Sequence, residues 1–180
     1  MVRVGAYRRP VYATHCLTGD VPEEALIAPR YRHDPYAGHF LYGVDTMLGD
    51  DEYVFLSVEQ FYETSADCYL FNAEELVRKG ALVRKFDISA YPGLESDWLW
   101  LSDFGESEED LKDAAARGTE GIWESFEKLK AARDKITLRG DEAIEFLRHP
   151  ERWSPKLGMP EILVPKRLPL YRSIGVYPIG

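Results

Sequence analysis

Two cysteines, Cys16 and Cys68, are all that 180 residues contain. That is too few for a disulfide framework, and it makes a reducing cytoplasm the expected compartment. No stretch approaches the roughly 18 unbroken apolar residues of a membrane-crossing helix, so no membrane partner is expected. The opening MVRVGAYRRP carries charges where a secretory signal would carry an apolar region, so none is expected. Familiar nucleotide signatures are missing: there is no G-x-x-x-x-G-K-[ST] and no G-x-G-x-x-G. Neither C-x-x-C, H-E-x-x-H nor G-x-S-x-G occurs. His33 and His39 stand six apart in a polar stretch, a poor metal spacing, and no metal site is expected. Gly49-Asp50-Asp51 reads as a turn before it reads as a cation site.

What is present describes an ordinary globule. Hydrophobic residues make up 45% and charged residues 29%, enough for one domain over 1–180 with its own core. The net charge is −9, and it is unevenly laid out. Nine acids and no Lys or Arg lie between Asp45 and Glu75, whereas Glu151 to Gly180 holds five bases and two acids. An acidic whole argues against a general nucleic-acid coat, which needs a basic stripe to release counterions. A local basic site built from both termini stays open.

Along the chain, RPVYATHCL reads as a first strand and YVFLSV as a second. GDVPEEALIAPRY reads as a short helix with Asp20 as its cap. The segment from Arg32 to Glu52 reads as a loop with little regular structure. A helix is expected from Ser57 or Glu59 through EQFYETSADCYLF, and another over NAEELVRKG ending at Gly80. ALVRKFDIS reads as a strand. The block from about 103 to 149 reads as a helical insertion, with Ser107 and Asp110 forming a capping box. Asp141 is expected to cap EAIEFLRH, and Ile122, Phe126 and Leu129 recur at helical spacing. SDWLWLSDF reads as core with a wet edge. EILVP is a further strand and RSIGVYPIG adds one more. Strands on both sides of a helical insertion imply an α+β class.

Three segments carry candidate chemistry: YATHCL with His15, YVFLSVEQFYETSADCY with Tyr62 and Tyr69, and PEILVP with Glu161 opening an apolar run. Read singly, each has an ordinary structural explanation: an edge histidine, a core stripe of a helix, a strand-entry charge. Taken in order, they resemble the ADP-ribosyltransferase superfamily, which includes poly-ADP-ribose polymerases, DarT-type DNA-modifying toxins and RNA 2′-phosphotransferases. THC resembles its histidine motif, YVFLS…SADCY its second motif, and PEILVPKRLPLYRSI the segment around its catalytic glutamate, above all in the DarT-like branch. The resemblance runs from Val11 to about Ile174.

That resemblance implies a split two-sheet α+β fold and a mono-ADP-ribosyltransferase that uses NAD as substrate and releases nicotinamide. It implies Glu161 as the catalytic carboxylate, and Thr14, His15, Tyr62, Tyr69 and Arg30 as cofactor-binding residues. The chemistry explains the types. Cleaving nicotinamide from ribose builds an oxocarbenium-like centre, and a carboxylate bonded to the ribose 2-hydroxyl tightens its hold as that charge develops. A tyrosine face stacks on the flat ring, and an arginine fork suits pyrophosphate, with Arg8, Arg9 and Arg32 standing beside Arg30 as candidates by position. The acceptor, a nucleic acid or a protein, stays open, and the resemblance adds a toxin or a defence or phage effector role with an antidote protein among the partners. A non-catalytic nucleotide- or partner-binding module of the same fold is the alternative, with an RNA 2′-phosphotransferase a third reading.

Overall fold

The computed structural model describes residues 10–17, 24–32, 43–59, 67–104 and 107–178. The chain is α+β, as strands on both sides of a helical block imply. Strands β1 (Tyr12–Leu17), β3 (Tyr53–Val58), β4 (Asp67–Asn72), β5 (Leu82–Arg84), β6 (Thr137–Leu138), β7 (Glu161–Pro165) and β9 (Gly175–Pro178) form one seven-stranded sheet. Its order is β6-β5-β7-β3-β1-β4-β9, and every pairing is antiparallel. The remaining strands, β2 (Ala25–Ile27) and β8 (Arg167–Pro169), make a separate two-stranded ribbon.

Alternation decides which face each side chain takes. In β3, Val54, Leu56 and Val58 are buried while Tyr53, Phe55 and Ser57 are half-buried. Their neighbours across the ladders, Ala13, Ile162, Val164 and Val83, fill the same core. Helices α2 (Ala73–Arg78) and α6 (Gly140–Leu147) cover that face with Leu76, Val77, Ile144 and Leu147, and the ribbon adds Leu26 and Leu168.

A second core belongs to the helices α1 (Gly43–Met47), α3 (Glu95–Ser102), α4 (Glu108–Ala116) and α5 (Ile122–Ile136). Leu101, Leu111, Phe126 and Leu129 are its fully buried centre. Phe86 and Ile88, just after β5, join it to the sheet. Ser107 caps α4 through the expected capping box, with both reciprocal bonds present. Gly80, at φ 101°, closes α2: its N–H bonds Val77 O while the N–H of Ala81 bonds Leu76 O. In SDWLWLSDF, Trp98 and Leu101 are buried and Trp100 meets Phe104 edge-on at 5.5 Å.

Several expectations are corrected. The helix expected over 59–71 gives way at its C-terminal half to strand β4. Glu59 takes a positive φ of 49° where that helix would begin, and Asp67, Cys68, Tyr69 and Leu70 pair with strands on both sides. Pairing on two edges overrides local helix preference. Of the helix expected over 19–31, the described part is a strand at Ala25–Ile27, because Leu26 packs beside Leu168 in the ribbon, followed by a 3₁₀ turn at Pro29–Tyr31, and its expected cap Asp20 lies outside the described residues. The segment expected to be loop holds α1 and a 3₁₀ turn at Asp50–Glu52. Arg139, not Asp141, occupies the cap position of α6; Asp141 and Glu142 lie in its first turn, where acids suit the helix N-terminus. The cysteines form no framework but are not free. Cys68 is disulfide-bonded, and Cys16 stands directly across from it in the β1–β4 ladder. Among the described residues no helix is long and apolar enough to cross a membrane.

Candidate functional site

Glu161 opens β7, a strand flanked on both sides: Ser57 of β3 is its Cα partner on one edge and Arg84 of β5 on the other. Ser57 in turn pairs with Thr14 of β1, Thr14 with Leu70 of β4, and Arg84 with Thr137 of β6. Directly paired residues share a face. A polar row, Thr14–Ser57–Glu161–Arg84–Thr137, therefore crosses the sheet on the face opposite the Val54–Leu56–Val58 core. This row is how the fold brings Thr14 and Glu161, 147 positions apart by their numbers, onto one surface. The Thr14 hydroxyl donates to Ser57 O at 3.0 Å and fastens β1 to β3.

The electrostatics centre on a buried arginine. The Arg84 side chain is 3% exposed and donates two bonds to Asp50, at 3.0 and 2.9 Å. This is the fork-to-carboxylate geometry that arginine is built for. A third side of the guanidinium lies over the Phe55 ring, 5.7 Å from its centroid. Glu161 is 3.9 Å from Arg84 Nη1, with its side chain 21% exposed. Burial pushes the Glu161 carboxyl up to about 8; Arg84 opposes this, while Asp87, Asp50 and Asp45 add to it. Asp50 has the closer grip on Arg84, so Glu161 receives only part of that positive charge.

Asp50 belongs to the 3₁₀ turn Asp50–Glu52, entered through Gly49 at φ 77°, a left-handed backbone that glycine adopts without strain. The next residue, Asp51, is held from the other side by Arg30, at 3.0 and 2.9 Å, and Arg30 also pairs with Glu52. Two buried acids on one turn are thus each matched by an arginine. Among the described residues, no cluster of His, Cys, Asp and Glu could hold a metal ion.

The other predicted site residues fall elsewhere. His15 and Tyr69 are Cα partners of each other, and by strand alternation they take the face opposite Glu161. Nδ1 of His15 bonds the carbonyl of Phe55 at 2.8 Å; a carbonyl only accepts, so Nδ1 carries the proton. Burial lowers the pKa of His15 and favours its neutral form. Tyr69 is packed in the first core, 9% exposed, which removes it as a stacking face beside Glu161. Arg30 is committed to Asp51 and Glu52. Tyr62 lies outside the described residues. The residues that sequence reasoning missed are Arg84 and Asp50. The one available signal was an arginine within an apolar strand, LVRKF, together with an unbalanced acidic segment upstream.

A cleft of about 500 Å³ opens away from this row. Val11, Glu74, Arg78, Arg148 and His149 are among its lining residues, and none of the predicted site residues is. Arg148 makes two bonds to Glu74 there, at 3.0 and 2.7 Å, tying α6 to α2. In comparison with known proteins, no protein-family model, no curated protein and no solved structure matches this chain.

Proposed function

We propose that the chain is an NAD-consuming ADP-ribosyltransferase that transfers ADP-ribose to a nucleobase or protein acceptor and releases nicotinamide, with Glu161 as the catalytic carboxylate. The observation that carries this reading is the setting of Glu161. It is a partly exposed acid at the first residue of a central strand, with the hydroxyl-bearing Ser57 across from it on one neighbouring strand and the buried Arg84 on the other. A rigid strand end is where a reagent must stand to meet a ribose hydroxyl in fixed geometry.

The main sheet is one continuous seven-stranded sheet rather than two, and a split two-sheet reading of the same family would divide it at its shortest internal ladder. β1 and β3 pair at only two positions, Ala13 with Val58 and Thr14 with Ser57, whereas β1 and β4 pair at six. The seam separates four strands, β6-β5-β7-β3, from three, β1-β4-β9. His15 lies on the face opposite Glu161, with its Nδ1 bonded to the Phe55 carbonyl, and leaves the cofactor set. Tyr69 and Arg30 drop out of the cofactor set. Phe55, on the Glu161 face and half-buried, replaces Tyr69 as the aromatic nearest the carboxylate row.

The test is nicotinamide release from NAD, with protein, DNA and RNA offered as acceptors, comparing the natural chain with Glu161→Gln. Release that disappears in Glu161→Gln supports the reading, and label retained on one pool names the acceptor. Absence of release with every acceptor, together with no heat of NAD binding, leaves the alternative of a binding module with the same fold.

A further inference from the structure

We infer that Arg84 is the positioning residue of Glu161, and that Asp50 sets how much of the Arg84 charge Glu161 receives. The inference rests on the reading of Glu161 as the working carboxylate, but its geometry is independent of NAD. Arg84 cannot turn toward solvent: it is 3% exposed, pinned by two bonds to Asp50, and covered by the Phe55 ring. Its strand pairs directly with that of Glu161, so the two side chains leave the sheet side by side. The 3.9 Å separation is too long for a hydrogen bond and short enough for strong attraction away from bulk water.

Asp50 and Glu161 therefore compete for one guanidinium. Asp50 wins on distance, and its own negative charge also opposes ionisation of Glu161. The charged groups that act on Glu161 are Arg84 from β5, Asp50 from its 3₁₀ turn, Asp45 from α1 and Asp87 from the segment after β5. Only Arg84 among them favours the carboxylate form. Arg30 reaches the adjacent Asp51 and so fixes the turn on which Asp50 stands. A shift of that turn away from Arg84 would hand charge to Glu161 and switch its carboxylate on.

The two partners thus push in opposite directions, which makes the inference sharp. In Asp50→Asn, the guanidinium keeps one acceptor and gains freedom to meet Glu161. The Glu161 carboxyl then titrates at lower pH, by about 1 or more. In Arg84→Met, it titrates at higher pH, and Arg84→Lys restores part of the difference. The carboxyl signal of ¹³C-labelled glutamate reads this directly, assigned by its loss in Glu161→Gln, without NAD present. If Arg84→Met does not fold, Asp50→Asn and Arg84→Lys still decide the matter. A Glu161 titration that is the same in folded Asp50→Asn as in the natural chain overturns the inference.

The same variants separate this inference from the proposed function. Opposite shifts with no nicotinamide release leave the positioning role standing and remove the transferase reading. Release with an unmoved Glu161 titration does the reverse. Where both hold, the acid limb of the release–pH profile moves down in Asp50→Asn, by the same amount as the carboxyl titration.

Discussion

Arg84 and Glu161 stand on adjacent strands, 3.9 Å apart, yet the nearer hydrogen-bonding partner of Arg84 is Asp50, which comes from a turn 34 positions away. The same arginine thus stabilises the fold and governs a candidate reagent. Removing Asp50 should be costly. Asp50→Ala leaves a buried guanidinium unmatched, with an expected loss of about 3–5 kcal/mol in urea denaturation. The bidentate pair between Arg148 and Glu74 lies at the surface, and Arg148→Ala should cost far less than Asp50→Ala. Equal losses in the two variants would refute this ranking.

Glu161 should make stability depend on pH in a definite direction. The folded carboxyl keeps its proton up to about 8, whereas its ordinary value is 4.5. Between those values the folded state binds more protons than the unfolded state, so this group's contribution declines as pH rises from about 4.5 to 8 and levels off above. Glu161→Gln abolishes the decline. Its stability relative to the natural chain should improve across that window by an amount on the order of 1–4 kcal/mol, the upper end being reduced because water reaches the side chain. Urea midpoints at pH 5, 6.5 and 8.5 measure this; parallel curves for the two proteins would contradict it.

Tyr69 should behave as a core residue. Tyr69→Phe should leave both stability and NAD affinity close to those of the natural chain. Tyr69→Ala should cost about 3–5 kcal/mol, as for other large buried aromatics. A large rise in the NAD dissociation constant for Tyr69→Phe, at unchanged stability, would return this tyrosine to the cofactor site.

The capping box at the start of α4 should contribute locally. Ser107→Ala removes the acceptor for the Asp110 N–H, at 3.2 Å, and should destabilise by about 1 kcal/mol. Faster hydrogen exchange confined to the first turn of α4 would accompany the loss; a uniform change across α5 would not fit.

What the sequence made legible was local. YVFLSV and EILVP read as strands because β-formers alternate or run continuously, and Ser107 and Gly80 read as helix ends because caps and left-handed turns have narrow residue preferences. Glu161 was legible as a charge misplaced in an apolar run. What stayed hidden was pairwise and distant. Arg84 reads as a solvated strand residue until the register sets it beside Glu161, and Asp50 reads as one acid among nine until Arg84 is seen to grip it. Tyr69 failed for the opposite reason: its seven-residue spacing from Tyr62 fits a helix stripe, and only pairing on both edges makes Asp67–Leu70 a strand. Residues 60–66, where Tyr62 lies, are outside the described structure.

The helical block leaves the sheet after β5 and returns through β6, whose two residues pair with Val83 and Arg84. It is sewn to the rim at both ends, so it cannot be lifted out like a cassette. A shortened chain that skips α3 to β6 would strip the outer edge of β5 and leave its backbone groups open to pairing with another molecule. The strand so exposed is the one that carries Arg84. Any engineering that trades these helices for a simple loop therefore has to keep Thr137 and Leu138 as a selvedge, or it unravels the candidate site from the side that looks least connected to it.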